Sequence, residues 1–563
     1  MMIDTIKKAI AIINESKSAK LLAAARTRAA YTAKPSPAAS EALVTLAIAD
    51  WRLVERSIQR QERYYIVDRA EQARSVDEVF YSLTLYVDSI DDVSHPSACS
   101  NETATDEASA NSAHGSEKVD ASEAPQKFRG EATITIFPSY TLDDCVARIR
   151  QAVFAASKSH NPWFSLPAPS PLYVQVPPSG FEALSFKDQV ESVRSALYSV
   201  SVPINEPMTA PLAESLAAPK NCKSRINSLE LFISKEQRRL LNSQGIDYSR
   251  TILRGYSEFV VEANSPAKIP SNNPAESSTD SSAYSPNSTV ELFDDIEFSE
   301  PDPVRLKQSI SNRLIQVSDR ALARPMPKLS GIPLILRGKE AEEIFAWFFE
   351  NSRTETIYSK ASPFRPGANV QGGNENIEGE SKGACSEFNS SQLIETETKK
   401  VLEPLDLWAE PFISELPASA AFDSDGFPLE RTLVIENGIL KTLIGSVRHA
   451  DWLRVPRKGA FSLFSVPSGS MSLEEMHAVP YIEPVMFSDF RLDSMTGDFG
   501  AEVRLAYYYD GKNVIPVTAG SISGSMSTMR TTMRRSKEIA TMSRSACPIA
   551  VMLQGAIIAG AHY

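Results

Sequence analysis

Two short stretches of this 563-residue chain bring carboxylates together at spacings that bear on chemistry. Asp423-Ser424-Asp425-Gly426 opens as a calcium loop opens, with oxygen donors at alternate positions. The later ligand positions of such a loop fall on Arg431 and Val434, so the stretch reads as a tight acidic turn. Lys339–Asn351 (KEAEEIFAWFFEN) offers Glu340, Glu342 and Glu343 as acid–base candidates. On an amphipathic helix, with Ile344, Phe345, Phe348 and Phe349 facing inward, these three read as the solvated face.

Metal chemistry needs ligands grouped on one element or brought together by a few. The six histidines (His95, His114, His160, His449, His477, His562) show no short-range pair, and none lies between His160 and His449. A rebuilt metal site would have to come from His449, His477, Glu474 and Glu475, the last three clustered in LEEMH. No G-x-S-x-G elbow, Walker A loop or dinucleotide fingerprint occurs. Ser468-Gly469-Ser470 and Ser523-Gly524-Ser525 read as small-residue turns. The stretch Ser525–Met542, with Met529, Arg530, Met533, Arg534, Arg535 and Lys537, reads as a basic helix with its methionines inward.

The bulk composition narrows the class. Hydrophobic residues make up 42% and charged residues 23%, which is globular, and the length calls for two or three domains. A formal net charge of -12 argues against nucleic-acid binding through bulk electrostatics. Five dispersed cysteines (Cys99, Cys145, Cys222, Cys385, Cys547) without a CxxC pair suggest reduced thiols in a cytoplasmic setting. The first twenty residues lack a signal-peptide core. Ala546–Ala561 is too short to span a bilayer and is interrupted by Gln554, so it is expected as a buried terminal strand pair and the protein as soluble.

The elements that must carry these residues follow from periodicity. Residues 1–75 are expected to be a helical segment, with helical spacing in Ser40–Ile58. Residues 76–324 are expected to form a mixed α/β domain. Its strands lie at Val79–Val87, Glu131–Phe137, Leu229–Ile233 and Glu258–Val261, and its helices at Leu142–Ala156, Phe186–Val200 and Pro303–Ala323. Val304, Leu306, Ile310, Leu314 and Val317 form the stripe of the last helix. Residues 325–563 are expected to form a β-rich barrel or sandwich with a few helices, giving an α+β chain overall. Here Ile332–Leu336 precedes the Lys339–Glu350 helix. Two hairpins turn at Asn437-Gly438 and Asp510-Gly511. In the second, Val503, Leu505, Tyr507 and Tyr509 alternate with Glu502, Arg504 and Tyr508. Three polar stretches, Pro96–Lys127, Ala263–Thr289 and Arg365–Ser391, read as disordered or loop insertions without a structural role.

Ala421–Ile444 (AFDSDGFPLERTLVIENGILKTLI) resembles the signature hairpin of the TldD/PmbA family, proteins related to zinc peptidases and also called modulators of gyrase. The matching residues are Asp423, Asp425, Gly426, Pro428, Ile435, Glu436, Asn437, Gly438, Leu440 and Lys441. Asn513–Met526 is similar to the family's late strand, with Ser525 where Asn is usual. Ile332–Phe349, after Arg324-Pro325-Met326-Pro327, is similar to the opening of its C-terminal domain. The resemblance covers 325–563 well, preserves order over 75–325 and is absent before that and in the insertions.

Catalytic members carry a His-Glu-x-x-x-His helix and a later Cys as zinc ligands. The equivalent helix here has no histidine. The resemblance therefore implies a PmbA/TldE-like non-catalytic subunit of a peptide-processing metallopeptidase, without catalytic or metal residues of its own and with zinc in a TldD-like heterodimer partner. A stand-alone peptidase with an atypical metal site and a non-enzymatic peptide-binding scaffold are the alternatives. By the same analogy, peptide or partner contacts are expected at Asn437, Gly438, Arg504, Tyr508, Arg530 and Arg534, with peptides added beside the 431–444 and 501–518 strands.

Overall fold

A computed structural model describes residues 1–15, 47–91, 126–199, 224–264, 289–372 and 403–560. The chain divides into two compact units, one of Met1–Arg56, Val79–Leu166 and Arg239–Tyr248, the other of Ser57–Glu78, Pro167–Arg238 and Ser249–Tyr563.

In the first unit the helix Met2–Glu15 buries Ile6, Ala9, Ile10 and Ile13, one helical stripe. The helix Leu142–Ala156 starts at a capping box, Thr141 with Asp144, which satisfies two otherwise orphaned amide groups. Both helices pack on Leu53, Leu83, Leu85, Val87 and Ile136 of the strands. Arg129, 1% exposed, lies among them with Nε 2.7 Å from Asp88 and Nη2 2.7 Å from Asp50. Two carboxylates make that buried charge tolerable.

In the second unit the helices Phe186–Tyr198 and Pro303–Leu322 cover Leu231, Ile233, Phe259, Val261 and Leu292 with Val193, Leu197, Leu306, Ile310, Leu314 and Val317. Val304, assigned to that stripe by spacing, is exposed. Farther along, a six-stranded and a ten-stranded sheet enclose the largest core, with the Lys339–Glu350 helix in it. Both sheets are open. The fold is α+β, and the expected barrel gives way to sheets with free ends.

Several expected elements differ. Asp50–Ile66 is a strand, lying between Arg69–Asp91 and Ser224–Asn242 in a seven-stranded sheet. Its apolar residues are sparse enough to fit either period, and a strand lies hydrogen-bonded on each side of it. Residues 40–46 lie outside the described set.

The basic helix at Ser525–Met542 shrinks to Met526–Met529 and a single 3₁₀ turn, Arg530–Thr532, before the strands Arg534–Arg535 and Ile539–Thr541. Met526, Met529 and Met533 are buried at helix-like spacing. Thr531 and Thr532 weaken helical continuation through side-chain stiffness and competing backbone bonds.

The terminal apolar run is not a strand pair. Ser545–Pro548 joins Leu463–Ser465, Ala550–Leu553 joins Leu334–Arg337, and Ile557–Ala559 joins Ser521–Ser525.

The polar insertions fall largely outside the described residues, but their margins are structured. Gln126–Ile136 is a strand, Ala263 and Asn264 end one strand and Thr289 begins another. Residues 365–369 are exposed, but Val370 and Gln371 pack into the core at 2% and 0% exposed, contrary to the expectation of no structural role. Among the described residues, no helix is long and apolar enough to cross a membrane.

Candidate functional site

The Lys339–Glu350 helix begins at Gly338, whose φ of 67° suits glycine. Ile344, Phe345, Phe348 and Phe349 are fully buried, as their spacing predicts. Trp347 meets Phe348 and Phe364 edge-on, both at 5.0 Å between ring centres.

Glu342 departs from expectation. It is 2% exposed instead of solvated, because the Ser543–Ser545 stretch runs past its side of the helix. Its Oε1 accepts the Arg544 amide at 2.9 Å and lies 2.7 Å from Ser545 Oγ. Its Oε2 accepts the Ser543 hydroxyl. Glu340 is partly covered and pushed up to about 7 by burial, whereas Glu343 is exposed. Cys547 lies close by, with Sγ 3.3 Å from Ser545 Oγ and its thiol pushed up to about 12 by burial.

A zinc ion does not fit this group. The helix has no imidazole, and Glu342 is already occupied by three donors.

The alternative ligand set is scattered as well. His477 Nε2 is 2.5 Å from Glu483 in the interior, and Glu475 caps its own helix through Ser472 while reaching Lys537 at 3.1 Å. His449 sits beside Ser446. Among the described residues, no group of three or more His, Cys, Asp or Glu is placed to hold a metal.

The acidic turn is structural, as read. Asp423 Oδ1 accepts the amides of Asp425 and Phe427 at 2.9 Å each, and Oδ2 accepts that of Ala460 at 3.0 Å. Burial first, and the neighbouring Asp425 second, push the Asp423 carboxyl up to about 7.

Of the six expected contact residues, two, Gly438 and Arg530, are tied to one stretch, 367–372. Asn437 and Gly438 form the hairpin turn with φ of 50° and 78°, the signature of the turn type predicted. Asn437 is exposed, but Gly438 is sealed: its carbonyl accepts the Val370 amide at 2.7 Å. Residues 367–370 also bond Leu440, so the chain's own backbone occupies the edge that peptide addition there would need. Arg530 reaches the end of the same stretch, donating from Nη2 to the Gly372 carbonyl at 3.2 Å. Arg504 is exposed, and Tyr508 pairs in register with Ile482 on one side and Ile515 on the other. Arg534 lies opposite Met552 in a separate strand pair. Nothing in the sequence marked Glu342, Gln371 or Glu403 as partners. Glu342 meets its hydroxyl donors across more than two hundred residues, and Gln371 Nε2 donates to the Glu403 carbonyl at 3.1 Å.

Residues 381–560 match the model of the PmbA/TldA metallopeptidase C-terminal domain. The C-terminal part of the chain is thus similar to the TldD/PmbA family. Solved structures of similar fold extend over nearly the whole chain. TldE from Thermococcus kodakarensis superposes with a TM-score of 0.59 at 13% identity, covering 92% of this chain and 97% of its own. A candidate modulator of a DNA gyrase from Thermotoga maritima gives 0.59 at 12% identity, covering 90% and 95%. Another, from Bacteroides thetaiotaomicron, gives 0.60 at 12% identity, covering 92% and 96%. At such identities these TldD/PmbA likenesses establish the fold. An uncharacterised protein of Methanocaldococcus jannaschii is 26% identical over 130 residues, which is 19% of this chain and 29% of that protein's length.

Proposed function

We propose that this TldD/PmbA chain is a non-catalytic, TldE-like subunit that pairs with a zinc-bearing, TldD-like chain and helps confine peptides for cleavage there. One observation supports it above the others. On the helix where the family's catalytic members place their metal ligands, the polar group is Glu342, held by Ser543, Arg544 and Ser545. A carboxylate already occupied by three donors is poorly suited to polarise water or take a proton in turnover.

Co-purification of the native protein with mass spectrometry of its companions, followed by metal analysis of the separated chains, tests this. The expected result is a related companion with a His-Glu-x-x-x-His helix, zinc in the companion, and far less than one zinc per copy of this chain. Stoichiometric zinc in this chain alone would overturn the assignment in favour of a stand-alone peptidase. A stable metal-free homodimer that binds peptides unaided would favour a scaffold instead.

A further inference from the structure

Other arginines sunk into this chain come with counter-charges. Arg129 meets Asp50 and Asp88, Arg313 Nε lies 2.9 Å from Asp294, and Arg535 lies 3.6 Å from Glu403. Arg530 has no such partner among the described residues. Its guanidinium, half-buried, uses Nη2 on the Gly372 carbonyl. Its Nε is shut off from solvent and donates to nothing, and Nη1 makes no bond either. Burial pulls its pKa below the ordinary value, with no acidic side chain among the described residues opposing it. The Cζ stands 6.0 Å from the centre of the Trp347 ring, which is fixed by Nε1 donating to the Ser494 carbonyl at 3.1 Å.

A guanidinium does not shed its proton at any ordinary pH, so partial desolvation without an anion is a standing cost. The charge cost is relieved when the two oxygens of one carboxylate meet the outer end of the guanidinium, Nη1 and the remaining hydrogen of Nη2, since Nε is closed to a ligand. Arg250 is the nearest rival, since its Nε is also buried without a partner. Burial and the Arg238 charge pull its pKa down to about 10, but the charges of Glu236 and Asp423 act against that shift, whereas none among the described residues does so at Arg530. At Arg530 a single fork, with no lysine beside it in the Met526–Thr532 turn, suits a two-oxygen carboxylate better than a phosphate.

We propose that Arg530 anchors a carboxylate of a bound peptide above Trp347, on the helix that in catalytic relatives carries the metal. The inference rests on the peptide-handling function proposed above and adds the feature of the peptide that is recognised. The carboxylate is either the C-terminus or an acidic side chain.

Fluorescence anisotropy with the full chain distinguishes the two sources. Three labelled short Ala/Ser peptides are compared: one with a free C-terminus, the same peptide amidated, and an amidated version carrying one glutamate. At least one carboxylate-bearing peptide is expected to bind about tenfold tighter than the neutral amide, the scale of one charge-assisted bond. Arg530→Gln should erase that preference, and Arg530→Lys should keep only part of it, because the charge remains and the fork is lost.

Equal binding of all three peptides, a preference that survives Arg530→Gln, or no binding of any peptide overturns the proposal. Arg530→Met should lower the melting temperature by no more than the loss of the single Gly372 carbonyl bond, since no counter-charge among the described residues is left behind. A fall of several degrees would reveal a structural partner and count against the site. Companion and metal analysis are read independently, so a lost carboxylate preference leaves the subunit assignment standing.

Discussion

At the scale of single residues, the buried carboxylates of this chain do structural work. Glu342 draws Ser543, Arg544 and Ser545 onto the helix, so truncating it strands three donors. Glu342→Ala should cost about 2–4 kcal/mol of unfolding free energy in urea titrations. Glu342→Gln should cost less, because its amide oxygen still accepts. A change under about 0.5 kcal/mol for the alanine variant would show that the three contacts are dispensable.

Asp319 titrates within an accessible range. It is 5% exposed, accepts the Tyr507 hydroxyl at 2.6 Å, and burial pushes it up to about 6. Its folded pKa lies above the unfolded value near 3.9, so between about pH 4 and pH 6 the folded state holds more protons. Stability from this group is therefore present below about pH 4, falls as the pH rises through that window and levels off above it. The effect is at most about 3 kcal/mol. Asp319→Asn should flatten the decline in melting temperature from pH 4 to pH 7 relative to the parent chain. Parallel curves would disprove the assignment.

At the scale of elements, the Asn437-Gly438 hairpin shows how a local signal becomes a tertiary junction. The dipeptide predicts the turn, but Gly438 has a second constraint: a Cβ there would stand 2.8 Å from Gln371 Oε1. Gln371 cannot withdraw freely, because the same Oε1 accepts the Leu405 amide at 2.6 Å. Gly438→Ala should therefore lower stability by at least about 1 kcal/mol through positive φ and crowding together. Asn437→Gly, at an exposed position that also favours positive φ, should stay within about 0.5 kcal/mol of the parent. Denaturant midpoints of the two variants side by side provide the check, and equal effects would refute it.

The short helix at Met526–Met529 teaches the complementary lesson. Its apolar spacing continues to Met533, yet the chain leaves the helix because Arg535 and Ser536 find partners elsewhere: the Arg535 amide meets Glu403 at 2.8 Å. Local periodicity set only the first turn.

At the scale of the whole molecule, the C-terminal family match and the fold of the solved structures agree. Under the proposed subunit role, the Lys339–Glu350 helix carries aromatic side chains and one engaged carboxylate where metal ligands would otherwise stand. Added zinc should accordingly leave the melting temperature of the isolated chain unchanged, because a ligand stabilises only a state that binds it. A rise of several degrees at micromolar zinc would contradict the assigned role and point to a site built from other residues.

The sequence by itself determined what depends on neighbours along the chain. The helices at Leu142–Ala156 and Lys339–Glu350, the two hairpins, and the lack of a histidine pair on the Lys339–Glu350 helix were all legible, because helical period, turn type and ligand spacing are local properties. Tertiary structure alone decided that Asp50–Ile66 is a strand, that 367–370 covers the hairpin edge, that Glu342 is buried, and that Arg530 lacks a counter-charge among the described residues. Each of these is fixed by partners dozens to hundreds of residues away, and desolvation, which sets the cost of an unpaired charge, belongs to the assembled core.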